Sequence, residues 1–166
     1  MHKFIHLFLF LLPLFAHSAY AGSSHIKWVG VDDYHDLKSG DNLKDNTFKT
    51  RFFKAIESEV EKLAMEKLSP EQAVVLAIRN VDLAGTLTLV NHYGSQKMIR
   101  TFGQETPASI SIGYIVIEKS GKEIASGAEV IIEKNFRFKT TRADNFYHER
   151  KLIRDWLSNE FDVNLN

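Results

Sequence analysis

Residues 73–85 read AVVLAIRNVDLAG, and the fold turns on how that run is taken. From Ala73 to Ile78 the side chains are apolar at odd and even positions alike. That is the pattern of a central strand covered on both faces, not of an edge strand with one wet face. Polar residues follow at Arg79, Asn80 and Asp82. Gly85 then ends the strand, because glycine turns into left-handed backbone at little cost.

A central strand needs neighbours, and the flanking sequence supplies them. Upstream, Thr47 to Leu68 has a helical period: Phe48, Phe52, Ile56, Val60 and Leu63 fall on one face while charges fill the other. Asp45 or Asn46 can cap its start, and Ser69-Pro70 stops it. Before that helix, Ile26 to Val31 reads as a short strand and the polar run Asp32 to Asn46 as a loop. Downstream, Thr86 to Val90 and Met98 to Phe102 read as short strands. Ile110, Ile112, Tyr114 and Val116 alternate, as do Ile124, Ala128, Val130 and Ile132, with a hairpin turn at Lys119-Ser120-Gly121-Lys122. Leu152, Ile153, Trp156, Leu157 and Phe161 predict a last helix from about Asn145 to Phe161, capped by Asp144 or Asn145. Strands in succession, with a helix near each end, predict an α+β fold: a mainly antiparallel sheet of about five to six strands with two main helices packed on one face.

The N-terminus predicts export. Lys3 precedes an almost continuous apolar run from Phe4 to Phe15, and small residues at Ala19 and Ala21 fit a signal-peptidase site between Ala21 and Gly22. The run is shorter than the roughly 20 apolar residues of a spanning helix and contains Pro13. Cleavage removes 21 of the 166 residues, and Lys3 with them. It leaves residues 22–166 as one α+β domain with 20 basic and 21 acidic side chains. That balance argues against a nucleic-acid or general polyanion partner. The chain has no cysteine, hence no disulfides and no thiol-linked lipid anchor. The expectation is a soluble periplasmic protein, with secretion as the lesser alternative.

No motif declares a chemistry. Within residues 22–166 no histidine pair has zinc-ligand spacing, so no metal is expected. There is no nucleophile elbow and no glycine-rich phosphate cradle, so no cofactor is expected. The acids that interrupt apolar surroundings are Asp82 and Glu149. With Arg79, Asn80, His148 and Arg150 they make a candidate polar cluster, and the simplest reading pairs Asp82 and Glu149 with Arg79 and Arg150. Phe136-Arg137-Phe138-Lys139-Thr140-Thr141-Arg142 alternates aromatic and basic residues. Arg137, Lys139 and Arg142 form a candidate strip for an envelope protein, glycan or lipid component.

Four short stretches carry a resemblance. Trp28 sits in the first strand, and Tyr34-His35-Asp36 follows it. Asn80-Val81-Asp82-Leu83-Ala84-Gly85 closes the central strand, and His148-Glu149-Arg150 precedes Asp155-Trp156. Over about residues 26–163 the chain resembles the bacterial exported family called domain of unknown function 3016. It departs from that pattern at Asn80, where the family has an acid, and at His148 and Arg150, where it has tyrosine and lysine. The resemblance implies export and a shared fold, and no activity. The expectation is a non-enzymatic periplasmic binding or accessory module. The alternatives are an envelope hydrolase using Asp82, His148 or Glu149, and a small-ligand carrier.

Overall fold

The computed structural model describes residues 22–34, 36–38, 45–92, 94–102, 106–134 and 146–165. Along them run β1 (Ser23–Trp28), one 3-10 turn (Val31–Asp33), α1 (Asp45–Lys67), β2 (Gln72–Asp82), β3 (Thr86–His92), β4 (Ser95–Thr101), β5 (Ser109–Glu118), β6 (Glu123–Ile132) and α2 (Tyr147–Asn164). No described helix is long and apolar enough to cross a membrane.

The α+β class is as expected, but the sheet is not. Four strands form one mixed sheet in the order β1-β2-β5-β6, and β3 pairs with β4 as a separate two-stranded sheet. β1 runs parallel to β2, from Ser23 opposite Ala73 to Trp28 opposite Ile78. The reason is topological. Between these strands the chain passes through α1, 23 residues long, and a parallel pair needs such a crossover where a tight hairpin gives an antiparallel one. β2–β5 and β5–β6 are antiparallel, as expected.

Both helices cover the same face of the sheet. Trp28, Ile78 and Ile112 are lateral neighbours, as are Ile26, Leu76 and Tyr114, so they share that face. Trp28 stacks on Phe53 of α1 and meets Phe52 edge-on. Its indole N–H donates to Glu57. Tyr114 meets Trp156 of α2 edge-on. Its hydroxyl donates to Glu160, and that contact with burial pushes its pKa up to about 12, burial being the larger cause. The fully buried side chains between the layers include Phe52, Ile56 and Val60 of α1, Leu76 and Ile78 of β2, and Ile153 and Leu157 of α2.

Three local features depart from expectation. β2 has a bulge: its register with β5 shifts between Ile78 and Asn80. The extra residue, Arg79, flips the alternation, so Val81 rather than Asn80 returns to the core side. The supposed loop after β1 is partly core, with Leu37 wholly buried and Tyr34 5% exposed. The Tyr34 hydroxyl donates to the Ile78 carbonyl at 2.6 Å. Finally, α2 starts at Tyr147, and its N-cap position is held by Phe146 at φ 69° with no side-chain cap bond. The expected caps Asp144 and Asn145 lie outside the described residues. A left-handed phenylalanine costs on the order of 1–2 kcal/mol. Its ring packs edge-on against Phe48 and Phe52, which offsets that cost.

Phe52 touches Trp28, Phe53 and Phe146 and is fully buried. Phe52→Ala is expected to destabilise the domain by about 3–5 kcal/mol, read as a lower urea midpoint with the folded far-UV spectrum retained.

Candidate functional site

Where β2 ends, the chain stays buried. Leu83 and Ala84 are 3% and 1% exposed, and buried backbone groups need partners. Distant segments provide them. The Leu83 N–H donates to Asp36 Oδ2 at 3.1 Å. The Ala84 N–H donates to Glu149 Oε1 at 2.8 Å. The Gly85 N–H donates to the Thr106 carbonyl at 2.9 Å. Arg100 completes the arrangement. Its guanidinium grips both Asp36 carboxylate oxygens, at 2.8 and 3.0 Å, and donates to the Gly85 carbonyl at 3.1 Å.

Gly85 is required here for two reasons. It sits at φ +82°, and a Cβ would lie 2.5 Å from the Thr101 carbonyl oxygen. This glycine lets β3 leave the main sheet and fold back through β4 onto its own root.

Burial raises the pKa of Glu149; its bond from Ala84 and the nearby His148 and Arg100 pull it only partly back. Glu59 behaves oppositely. Arg154 and Arg150 both donate to it, and the Arg154 bond above all holds its carboxyl below the usual range despite burial.

The candidate cluster is thus split. Glu149 is buried against Ala84. His148 packs its Nδ1 3.0 Å from Glu133 Oε2. Arg150 pairs with Glu59, not with Glu149. Arg79 and Asn80 are exposed on the bulge, and Asp82, also exposed, lines a cleft. The basic strip Arg137, Lys139 and Arg142 lies outside the described residues. Among those residues no three His, Cys, Asp or Glu side chains gather as metal ligands.

The cleft holds about 410 Å³ and opens at the root of the β3–β4 hairpin. Asp36, Asp82, Thr86, Thr106 and Ser109 give it polar groups, and Leu83, Leu87, Pro107 and Ile132 give it apolar wall. Thr106 Oγ1 is buried there without a hydrogen-bond partner.

The residues that the sequence did not single out are Arg100, Glu59, Glu133 and Thr106. Arg100 reads only as a polar residue inside the short strand Met98 to Phe102, because nothing local couples it to Asp36, 64 positions away. Asp36 stood out only through the Tyr34-His35-Asp36 segment.

Two measurements test the node. Asp36→Ala strands the buried Leu83 N–H and unpairs Arg100, and is expected to cost about 2–4 kcal/mol by urea unfolding. Glu149→Gln tests the raised carboxyl. Between the ordinary value of 4.5 and its higher folded pKa, the native state keeps a proton that the unfolded chain releases. Glu149 therefore supports folding most in acid, and that contribution is lost as pH rises through the folded pKa. Relative to the wild type, Glu149→Gln is expected to gain stability on going from below 4.5 to neutral pH. A difference that stays flat with pH would show that the carboxyl titrates normally.

Comparison with curated proteins and with solved structures returns no match. A family model described as "Protein of unknown function (DUF3016)" does match, over residues 22–159. Its span takes in all four stretches that carry the resemblance. Three of them, Tyr34 to Asp36, Val81 to Gly85 and His148 to Arg150, meet at the end of β2 through the Tyr34, Asp36 and Glu149 bonds. The chain belongs to this DUF3016 family.

Proposed function

We propose that the protein is a non-enzymatic binding module of the cell envelope, exported by cleavage between Ala21 and Gly22, and that the β3–β4 hairpin is the arm with which it holds a partner protein. The observation that carries this reading is the arm itself. Among the described residues, β3 and β4 pair only with each other. A lone two-stranded hairpin is marginal in water unless something packs on it. Yet Leu89, Met98 and Ile99 are 55%, 40% and 37% exposed.

The arm has two recognition features. Leu89 lies opposite Met98, and Leu87 lies two residues before Leu89 on the same side. Leu87 also lines the cleft, so one apolar strip runs from the middle of the arm into that cavity. The outer edges of the two-stranded sheet can also accept a partner's strand, as in β-augmentation. The root is held by Arg100, a β4 residue clamped to Asp36, so the arm's direction is set even though its surface is unsupported. In the same reading, Arg137, Lys139 and Arg142 add a basic contact for an acidic part of the partner.

The hydrolase alternative needs Asp82, His148 and Glu149 to converge within hydrogen-bond reach of one substrate. Glu149 is turned into the core and His148 towards Glu133, and only Asp82 borders the cleft. That arrangement favours the binding reading.

The test places a photo-crosslinking amino acid at Leu89, at Met98 or at Met65, an exposed control on α1. The full chain is expressed in its host with a C-terminal tag. The expected result is a periplasmic form beginning at Gly22, with one discrete protein adduct from Leu89 and Met98, absent from Met65 and lost in Leu87→Asp. Retention of residues 1–21, or equal labelling from all three positions, would overturn the proposal.

A further inference from the structure

The sequence of β2 asks for cover on both faces, and among the described residues only one face is covered. Opposite the helices, the main sheet presents Ala73, Val75 and Ala77 of β2 beside Ile117, Ile115 and Gly113 of β5. None of these six packs against the helix-side core. At the outer strands the same face carries His25 and Lys27 on β1, and Glu123, Ser126, Ala128 and Val130 on β6. Val29 prolongs β1, its N–H donating to the Ile78 carbonyl, and alternation from Trp28 puts its side chain on this face too. Val29 and Val130 are 37% and 59% exposed.

We propose that a second copy of this chain covers that face, the two sheets packing into a sandwich about a two-fold axis parallel to the strands. The register across the sheet is what selects this occupant. Such an axis lies midway between β2 and β5 and sets β1 of one copy over β6 of the other, and β2 over β5. Rows then read self-complementarily. Val29, Arg79 with Asn80, Ser111 and Val130 form a row with apolar ends and a polar, cationic middle, so each Val130 meets the partner's Val29 and each Arg79 reaches the partner's Ser111 hydroxyl. Ala73 meets Ile117 and Val75 meets Ile115, a smaller side chain facing a larger one each time. Ala77 and Gly113 leave room for close approach in the row between. At the edges, Ser23 lies over Glu123, His25 over Ser126 and Lys27 over Ala128, so no like charges oppose one another there. An isologous contact of this kind closes at two copies.

Size sets the expected strength. Four strands at about 4.8 Å spacing and seven residues at about 3.3 Å give a plan of roughly 440 Å² per copy. Corrugation by side chains raises the accessible area above that plan, towards the lower part of the range for specific interfaces, where about 800 Å² per partner is standard. A dimer that dissociates in the micromolar range follows. Because the axis is parallel to the strands, both β3–β4 arms leave at the same end, so two weak partner contacts reinforce each other.

The test is sedimentation velocity on the chain from Gly22 onward across the micromolar range. The expected result is a reversible monomer–dimer equilibrium. Ile115→Lys and Val130→Lys each weaken it by about tenfold or more. Met65→Lys, on an exposed helix position, leaves it unchanged. Melting temperatures confirm that the variants are folded; Val130 is over half exposed, so its variant carries the test if Ile115→Lys unfolds. A monomer throughout, or a dimer indifferent to Val130→Lys, overturns the inference. The arm is tested separately. Monomeric protein that still forms the Leu89 adduct removes the dimer and keeps the binding reading, and a dimer without that adduct does the reverse.

Discussion

The backbone of Leu83 to Gly85 must stay buried after its strand has ended, and most of the architecture answers to that constraint. A strand interior shares its N–H groups with neighbours, but β2 has outrun β1, whose last ladder bond is donated by Val29. Three consecutive amides therefore need other acceptors, and receive Asp36, Glu149 and the Thr106 carbonyl. Each acceptor fixes a separate part of the chain. Asp36 holds the segment after β1 and, through Arg100, the hairpin. Glu149 docks the first turn of α2. Thr106 leads into β5.

The carboxylates play unequal parts. Asp36 is paired with an arginine in bidentate geometry, so its charge is matched where it lies. Glu149 is more deeply buried and relies on two backbone donors, the Ala84 amide and its own, with His148 and Arg100 nearby, and burial wins. Glu59 shows the contrary balance, where two arginines overcome burial. Acid weakens the Glu59 pairing while easing the burden of Glu149, so the two acids give stability opposite slopes with pH.

The two unsupported surfaces differ in kind. The β3–β4 arm is apolar on its own account but thin, and its root is tied down by Arg100 and Asp36. The open face of the main sheet is broad, with the small residues Ala77 and Gly113 in its centre. A thin arm suits a groove or a strand edge on another protein. A broad face whose small and large side chains alternate across neighbouring strands suits a second copy. On the two proposed readings together, the module pairs through its sheet and presents two arms.

What was legible in the sequence was whatever a short window can show. Phe48 to Leu63 and Leu152 to Phe161 revealed the helices, because a stripe at helical spacing needs only its own neighbours. Ala73 to Ile78 announced a central strand, and Val81 to Gly85 with Tyr34 to Asp36 marked segments that carry the resemblance, both within the span of the family match. The position of β1 was not legible. Whether it joins β2 in parallel depends on α1 crossing over the sheet, which no residue of either strand reports. The Arg79 bulge was hidden for a similar reason: its signal, polar residues breaking an apolar run, is also that of a strand end. The node was hidden most completely. Asp36, Arg100 and Glu149 are 64 and 49 positions apart along the chain, and nothing in their local sequence ties one to another. Local pattern determined the elements and the acids worth watching. Only the tertiary structure decided their partners, because a buried amide takes whichever acceptor the packing of distant segments brings within about 3 Å.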